Sequence, residues 1–159
     1  MALTDKRIEA PAEDIIDLNI DAIKKQKFRI NGDPKAVIEL NLSDLNVSDR
    51  LEKGVKKLEE SMTKIASLPD DEELSNKLDE INKVMCETVD YIFDSSISEV
   101  CCKGGTMYDP YNGMFRWEHI LDSLTSLYTN NLNTEFKKLK ARVQKHTQKY
   151  VGKKSSRGK

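Results

Sequence analysis

Apolar and polar residues alternate over two short stretches in the first third of the chain. Phe28 and Ile30 are interleaved with Lys27, Arg29 and Asn31, and after a break Ile38, Leu40 and Leu42 are interleaved with Val37, Glu39 and Asn41. A period of two sends successive side chains to opposite faces, so the pattern predicts two strands, each with one wet face. Between them Asn31-Gly32-Asp33-Pro34 supplies residues that accept positive φ and one whose φ is preset, which predicts a β-hairpin with a link longer than two residues. A lone hairpin is barely stable in water. The face formed by Phe28, Ile30, Ile38, Leu40 and Leu42 must therefore pack on helices or on another hairpin, and it is the first candidate surface for self-association or partner binding.

The period then changes. Val47, Leu51, Val55, Leu58, Met62 and Ile65 step by three or four residues behind the capping chemistry of Ser43-Asp44, which predicts a helix with a narrow apolar stripe that Leu68-Pro69 ends. Gly54 costs this helix about 1 kcal/mol relative to Ala unless something packs closely against it. Asp70 with Glu73 reads as a capping box for a second helix through Leu74, Leu78, Ile81, Met85, Val89 and Ile92, ending near Phe93. So short a link predicts an antiparallel helical hairpin. Ser96 with Glu99 suggests a further capped turn that Gly104-Gly105 terminates, and Asp109-Pro110 and Asn112-Gly113 mark turns in the next loop. A last helix carries Phe115, Trp117, Ile120, Leu121, Leu124, Leu127, Tyr128 and Leu132, continues through Phe136, Leu139 and Val143, and is expected to stop at Gly152.

These elements predict an α+β fold, mainly α: an N-terminal β-hairpin followed by a bundle of amphipathic helices. Residues 27–150 form the expected single domain. Residues 1–26 form an arm, mobile over Thr4–Asp14, that ends in the apolar patch Ile15, Ile16, Leu18, Ile20 and Ile23, whose spacing fits a helix or an extended segment. Residues 151–159 are expected to be a disordered basic tail.

Composition narrows the function classes. Hydrophobic residues are 38% and charged ones 33% of 159 residues, so a large buried core is excluded. No apolar run reaches the roughly 18 residues of a membrane span, and the first residues lack the apolar stretch of a signal peptide, which predicts a cytosolic protein. The net charge of −1 conceals a split: of 26 basic and 27 acidic residues, ten basic and no acidic ones lie between Phe136 and Lys159. The residues before Phe136 are strongly acidic and the end basic. Such an end reaches acidic surfaces, or is simply a solvated helix terminus that favours cations; nucleic acid is not the expected partner.

Candidate chemistry is sparse. Cys86, Cys101 and Cys102 are an odd number without zinc-ligand spacing and read as free thiols. Lys103 beside the adjacent pair offers a route to a lowered thiol pKa, against small buried residues next to a turn. Gly104-Gly105 lacks the flanking pattern of a phosphate loop. His119 lies near Glu118 and Asp122 without a nucleophile, and Asp70 to Glu73 resembles a metal site by charge alone. No catalytic, cofactor or metal residue is assigned, and an enzyme is not expected. Tyr108, Tyr111, Phe115 and Trp117 cluster within ten residues, either as a binding surface, with Tyr108, Tyr111 and Trp117 as its anchors, or as a plug closing the core.

Phe28-Arg29-Ile30-Asn31-Gly32-Asp33, the strand Val37-Ile38-Glu39-Leu40-Asn41-Leu42 with Ser43-Asp44 behind it, Arg50-Leu51-Glu52, Lys57-Leu58-Glu59-Glu60 and Asp90-Tyr91-Ile92-Phe93-Asp94 together resemble small proteins of tailed bacteriophages and prophages of Gram-positive bacteria. The resemblance, over about Lys27 to Tyr128, is to tail assembly chaperones. It implies a non-enzymatic factor in the bacterial host cytoplasm that coats the tape measure protein, helps recruit tail tube subunits and forms homo-oligomers, with no cofactor and no membrane. A virion structural component (head, connector or tail protein) is the alternative. The N-terminal arm, Cys101-Cys102-Lys103-Gly104-Gly105 and the basic end lie outside the resemblance.

Overall fold

The structure, a computed structural model, describes residues 14–157, with side chains through Lys145. The arm expected over Thr4–Asp14 lies, apart from Asp14, outside the described residues, as do Gly158 and Lys159. Helices make up 61% of the described residues beside a two-stranded hairpin, so the fold is α+β and mainly α.

Strands β1 (Gln26–Arg29) and β2 (Val37–Leu40) pair antiparallel with Phe28 opposite Ile38. Their link is two successive turns. Asn31 and Gly32 take φ of 52° and 74°, and the Asp33 amide donates to the Ile30 carbonyl at 3.0 Å, the primed geometry that matches strand twist. Pro34 then presets the second turn, which the Ala36 amide closes on the Asp33 carbonyl.

Helices α1 (Val47–Ser67) and α2 (Leu74–Phe93) follow with the extents that the apolar spacing predicts. They are antiparallel: the Arg50 guanidinium donates from Nε to the Ile92 carbonyl at 3.0 Å, and Gly54 faces Thr88 and Ile92. A Cβ at Gly54 would lie 2.5 Å from the Ile92 side chain, so the glycine is required by close helix approach. Arg50 also pairs through Nη2 with Asp44 Oδ2 at 2.6 Å, tying the end of α2 to the entry of α1.

The helix starts differ from the expected capping. The predicted box of Asp70 and Glu73 does not form: α2 begins at Leu74, and Asp71 Oδ1 accepts from the Glu73 amide at 2.9 Å. A short carboxylate closes a local turn two residues on more readily than it reaches across a helix start. The same geometry joins Asp44 to the Asn46 amide. For α3 (Ile97–Cys101), the Ser96 side chain makes no cap; Asp90, on α2, accepts from the Ser98 amide and hydroxyl, both at 2.7 Å. Asp94, at φ 48°, ends α2 in the left-handed conformation that allows this sharp corner.

A second, minimal hairpin, β3 (Pro110–Tyr111) and β4 (Met114–Phe115), turns on Asn112-Gly113 and leads into α4 (Arg116–Arg157). Its strands are too short for an alternation to register. Helix α4 passes Gly152 rather than stopping there, so the basic end, expected to be disordered from 151, is helical through Arg157. One glycine costs a helix about 1 kcal/mol, which alone is a weak stop without a residue in a C-capping conformation behind it.

The core joins Ile38 and Leu40 of the hairpin with Leu58, Met85, Val89, Ile92, Phe93, Ile97 and Met107, and α4 closes it with Trp117, Leu121, Leu124 and Tyr128. The rings of Phe93 and Tyr128 lie 5.8 Å apart.

Candidate interaction surface

The hairpin face singled out for partner binding lies inside the molecule. Leu40 is fully buried and Ile38 nearly so, while Phe28, Ile30 and Leu42 are half-buried against the same core. Asn131 Nδ2 donates to the Leu42 carbonyl at 3.2 Å, fastening the far end of β2 to α4. A hairpin must cover one face, and the helices of its own chain are in reach first. These five side chains pack on the chain's own helices, the first of the two expected alternatives, which corrects their assignment to self-association or partner binding.

The aromatic cluster divides. Trp117 is buried, with its amide donating to the Met107 carbonyl at 2.9 Å, and Tyr108 and Phe115 are half-buried against the core, so these three act as the plug. Tyr111 alone stands out, 71% exposed at the tip of the β3–β4 hairpin. There His119 Nε2 lies 2.6 Å from the Tyr111 carbonyl and the two rings are 5.8 Å apart. His119 thus holds the small hairpin to α4.

The Cys86 and Cys101 thiols are the reverse of activated. Burial pushes Cys86 up to about 12, with Cys102 beside it adding to the shift, and burial likewise raises Cys101. All three are free. Lys103 does not lower the Cys101 thiol, because burial disfavours its charged form. The loop beyond Gly104-Gly105 is organised by Asp109, which accepts from the Thr106 hydroxyl at 2.6 Å and the Thr106 amide at 3.0 Å, with Arg116 Nη2 at 3.4 Å. Those hydrogen bonds hold the Asp109 carboxyl below its ordinary value. Among the described residues no group of three or more His, Cys, Asp or Glu side chains is placed to hold a metal ion, and no helix is long and apolar enough to cross a membrane.

A cleft of about 700 Å³ opens between the hairpin and the α2–α3 corner. Lys25, Lys27, Glu39, Glu87 and Glu99 line it with mixed charge, and its Asp90 carboxylate already caps α3.

Exposed apolar surface concentrates elsewhere. Ile15, Ile16, Leu18 and Ile23 are 56, 91, 82 and 69% exposed, in a segment that is irregular apart from a 3-10 turn at Asp21–Ile23. On α4 every residue from Asn133 to Lys145 is exposed, Phe136 at 56% and Leu139 at 52%. The apolar spacing along the last helix marks both halves of α4 alike. The signal that separates them is the change to uninterrupted cations after Glu135.

No protein-family model, curated protein or solved structure matches the chain.

Proposed function

We propose that this chain is a non-enzymatic assembly factor of the phage tail assembly chaperone kind, acting in the bacterial host cytoplasm on the tape measure protein and helping to recruit tail tube subunits. The observation that carries the reading is the placement of apolar surface. The body buries its stripes against itself, yet Ile16, Leu18, Phe136 and Leu139 stay open to water in the two segments that flank it. Large apolar side chains grouped on a surface mark protein–protein contact. The hairpin-then-helices order is also the one that the resemblance implies.

The test is whether a very long, coiled-coil-rich gene lies just downstream of this one and, where it does, co-expression of the full chain with its product, followed by affinity capture and size analysis. Without such a neighbour, or without a complex, the chaperone reading fails. A complex containing both proteins, together with absence of this chain from purified particles, supports the chaperone. Recovery of the chain in the particles at stoichiometric amounts favours a virion structural component instead.

A further inference from the structure

The two exposed segments differ in charge as well as in position. Residues 14–23 read Asp-Ile-Ile-Asp-Leu-Asn-Ile-Asp-Ala-Ile: five large apolar side chains, three carboxylates and no cation. In an extended chain Ile16, Leu18 and Ile20 fall on one side and Asp17 and Asp21 on the other. The outer half of α4 is the opposite case. Leu132, Phe136, Leu139 and Val143 recur at steps of four, three and four residues, which places them on one stripe. At about 100° per residue Lys140 and Arg142 border that stripe on either side, and Lys137, Lys138 and Lys145 widen the positive field. Glu135, the one acid in this half of the helix, lies 3.4 Å from Lys138.

Charge decides what fits there. A second α4 laid along the first would set cation against cation beside the stripe, with no acidic partner in the helix after Glu135. Segment 14–23 brings apolar side chains for the stripe and carboxylates for its borders. The lengths agree as well, since Ile15 to Ile20 extended spans about 17 Å and Leu132 to Val143 along a helix about 16 Å. Within one chain the two do not meet, since Ile16 is 91% and Phe136 56% exposed, and Lys25 Nζ is bonded to the Asp94 carbonyl where the segment joins the body.

We propose that residues 14–23 of one copy dock along the outer half of α4 of a second copy, and reciprocally, so that two chains exchange an acidic apolar segment for a basic apolar helix face. The exchange is isologous and closes on itself as a dimer. It goes beyond the assembly reading and does not depend on it, because it concerns two copies of this chain without tail proteins.

The test is the mass in solution of the purified full chain by light scattering and sedimentation over a range of concentrations. The wild type is expected to form a dimer that dissociates on dilution and weakens several-fold as the Debye length falls from about 10 Å at 0.1 M salt to about 3 Å at 1 M. Ile16→Asp/Leu18→Asp and Phe136→Asp/Leu139→Asp change exposed positions, should keep the circular dichroism and melting curve of dilute, dissociated wild type, and are each expected to be monomeric. An equimolar mixture of the two variants keeps one of the two contacts intact and should regain a heterodimer. Lys137→Glu/Lys140→Glu/Arg142→Glu should weaken the dimer and remove its salt dependence. A wild type that stays monomeric, as docking within one chain would give, overturns the proposal. So does a dimer that survives Ile16→Asp/Leu18→Asp, as helix-to-helix pairing would give, or a mixture that remains monomeric.

Discussion

The inner and outer halves of α4 carry the same apolar spacing and have opposite fates. Trp117, Leu121, Leu124 and Tyr128 are buried beneath the hairpin and α2, whereas Phe136, Leu139 and Val143 remain exposed on the turns beyond Asn131, where contact with the hairpin ends. A helical stripe states that a face is apolar; what lies against it depends on how far the rest of the chain extends. Here the hairpin and the α1–α2 pair run out before the helix does.

The sharpest way to break this comparison is truncation on each side of it. Ile92→Ala, within the core that the inner half covers, is expected to cost about 2–5 kcal/mol in urea unfolding. Leu139→Ala, measured on dilute protein, should stay within about 0.5 kcal/mol of wild type. Equal losses at both positions would mean that the outer stripe is covered within one chain.

The next effect tests the close helix approach on which the inner half rests. Gly54→Ala places a methyl where Ile92 already sits and is expected to cost about 1–3 kcal/mol by overpacking, partly offset by Ala's better helix propensity. Adding Ile92→Val should recover part of that loss, a coupling that a double-mutant cycle reads directly. Smaller again is the corner between α2 and α3: Asp90→Ala removes the acceptor for the Ser98 amide and should cost about 1 kcal/mol, while Asp90→Asn, which keeps an acceptor, should cost less.

The smallest effect concerns Tyr128, whose buried hydroxyl has no hydrogen-bond partner. Tyr128→Phe should be neutral or stabilise by up to about 1 kcal/mol at pH 7, since it removes an unsatisfied polar group. Burial pushes the hydroxyl up from its ordinary 10 to about 12, with Asp44 adding to the shift. The unfolded chain then releases this proton near pH 10 while the folded chain holds it, so wild-type stability falls as pH rises from 10 toward 12. Melting temperatures across that window should decline less steeply in Tyr128→Phe. The Cys86 thiol, raised from 9 to about 12, leaves a residual decline in both proteins that begins at lower pH.

Much of this architecture is written in local patterns. Asn31-Gly32 and Pro34 specify the hairpin link because positive and preset φ are properties of single residues, and the extents of α1 and α2 follow from apolar steps bounded by Leu68-Pro69 and the Asp94 corner. Side-chain caps were less legible. Asp90 caps α3 from within the preceding helix, a partnership that a scan for a Ser or Asp beside the helix start passes over.

The partner surface was the least legible, and for a physical reason. Alternation in Phe28, Ile30, Ile38 and Leu40 shows that one face of the hairpin must leave water, but whether it does so against its own helices or another molecule is a matter of where α2, α3 and α4 stand in space. Tertiary packing placed that face in the core. It left open the acidic apolar segment before β1 and the basic outer half of α4, because burial depends on which surfaces are within reach of one another, a relation between distant parts of the chain that neither periodicity nor composition encodes.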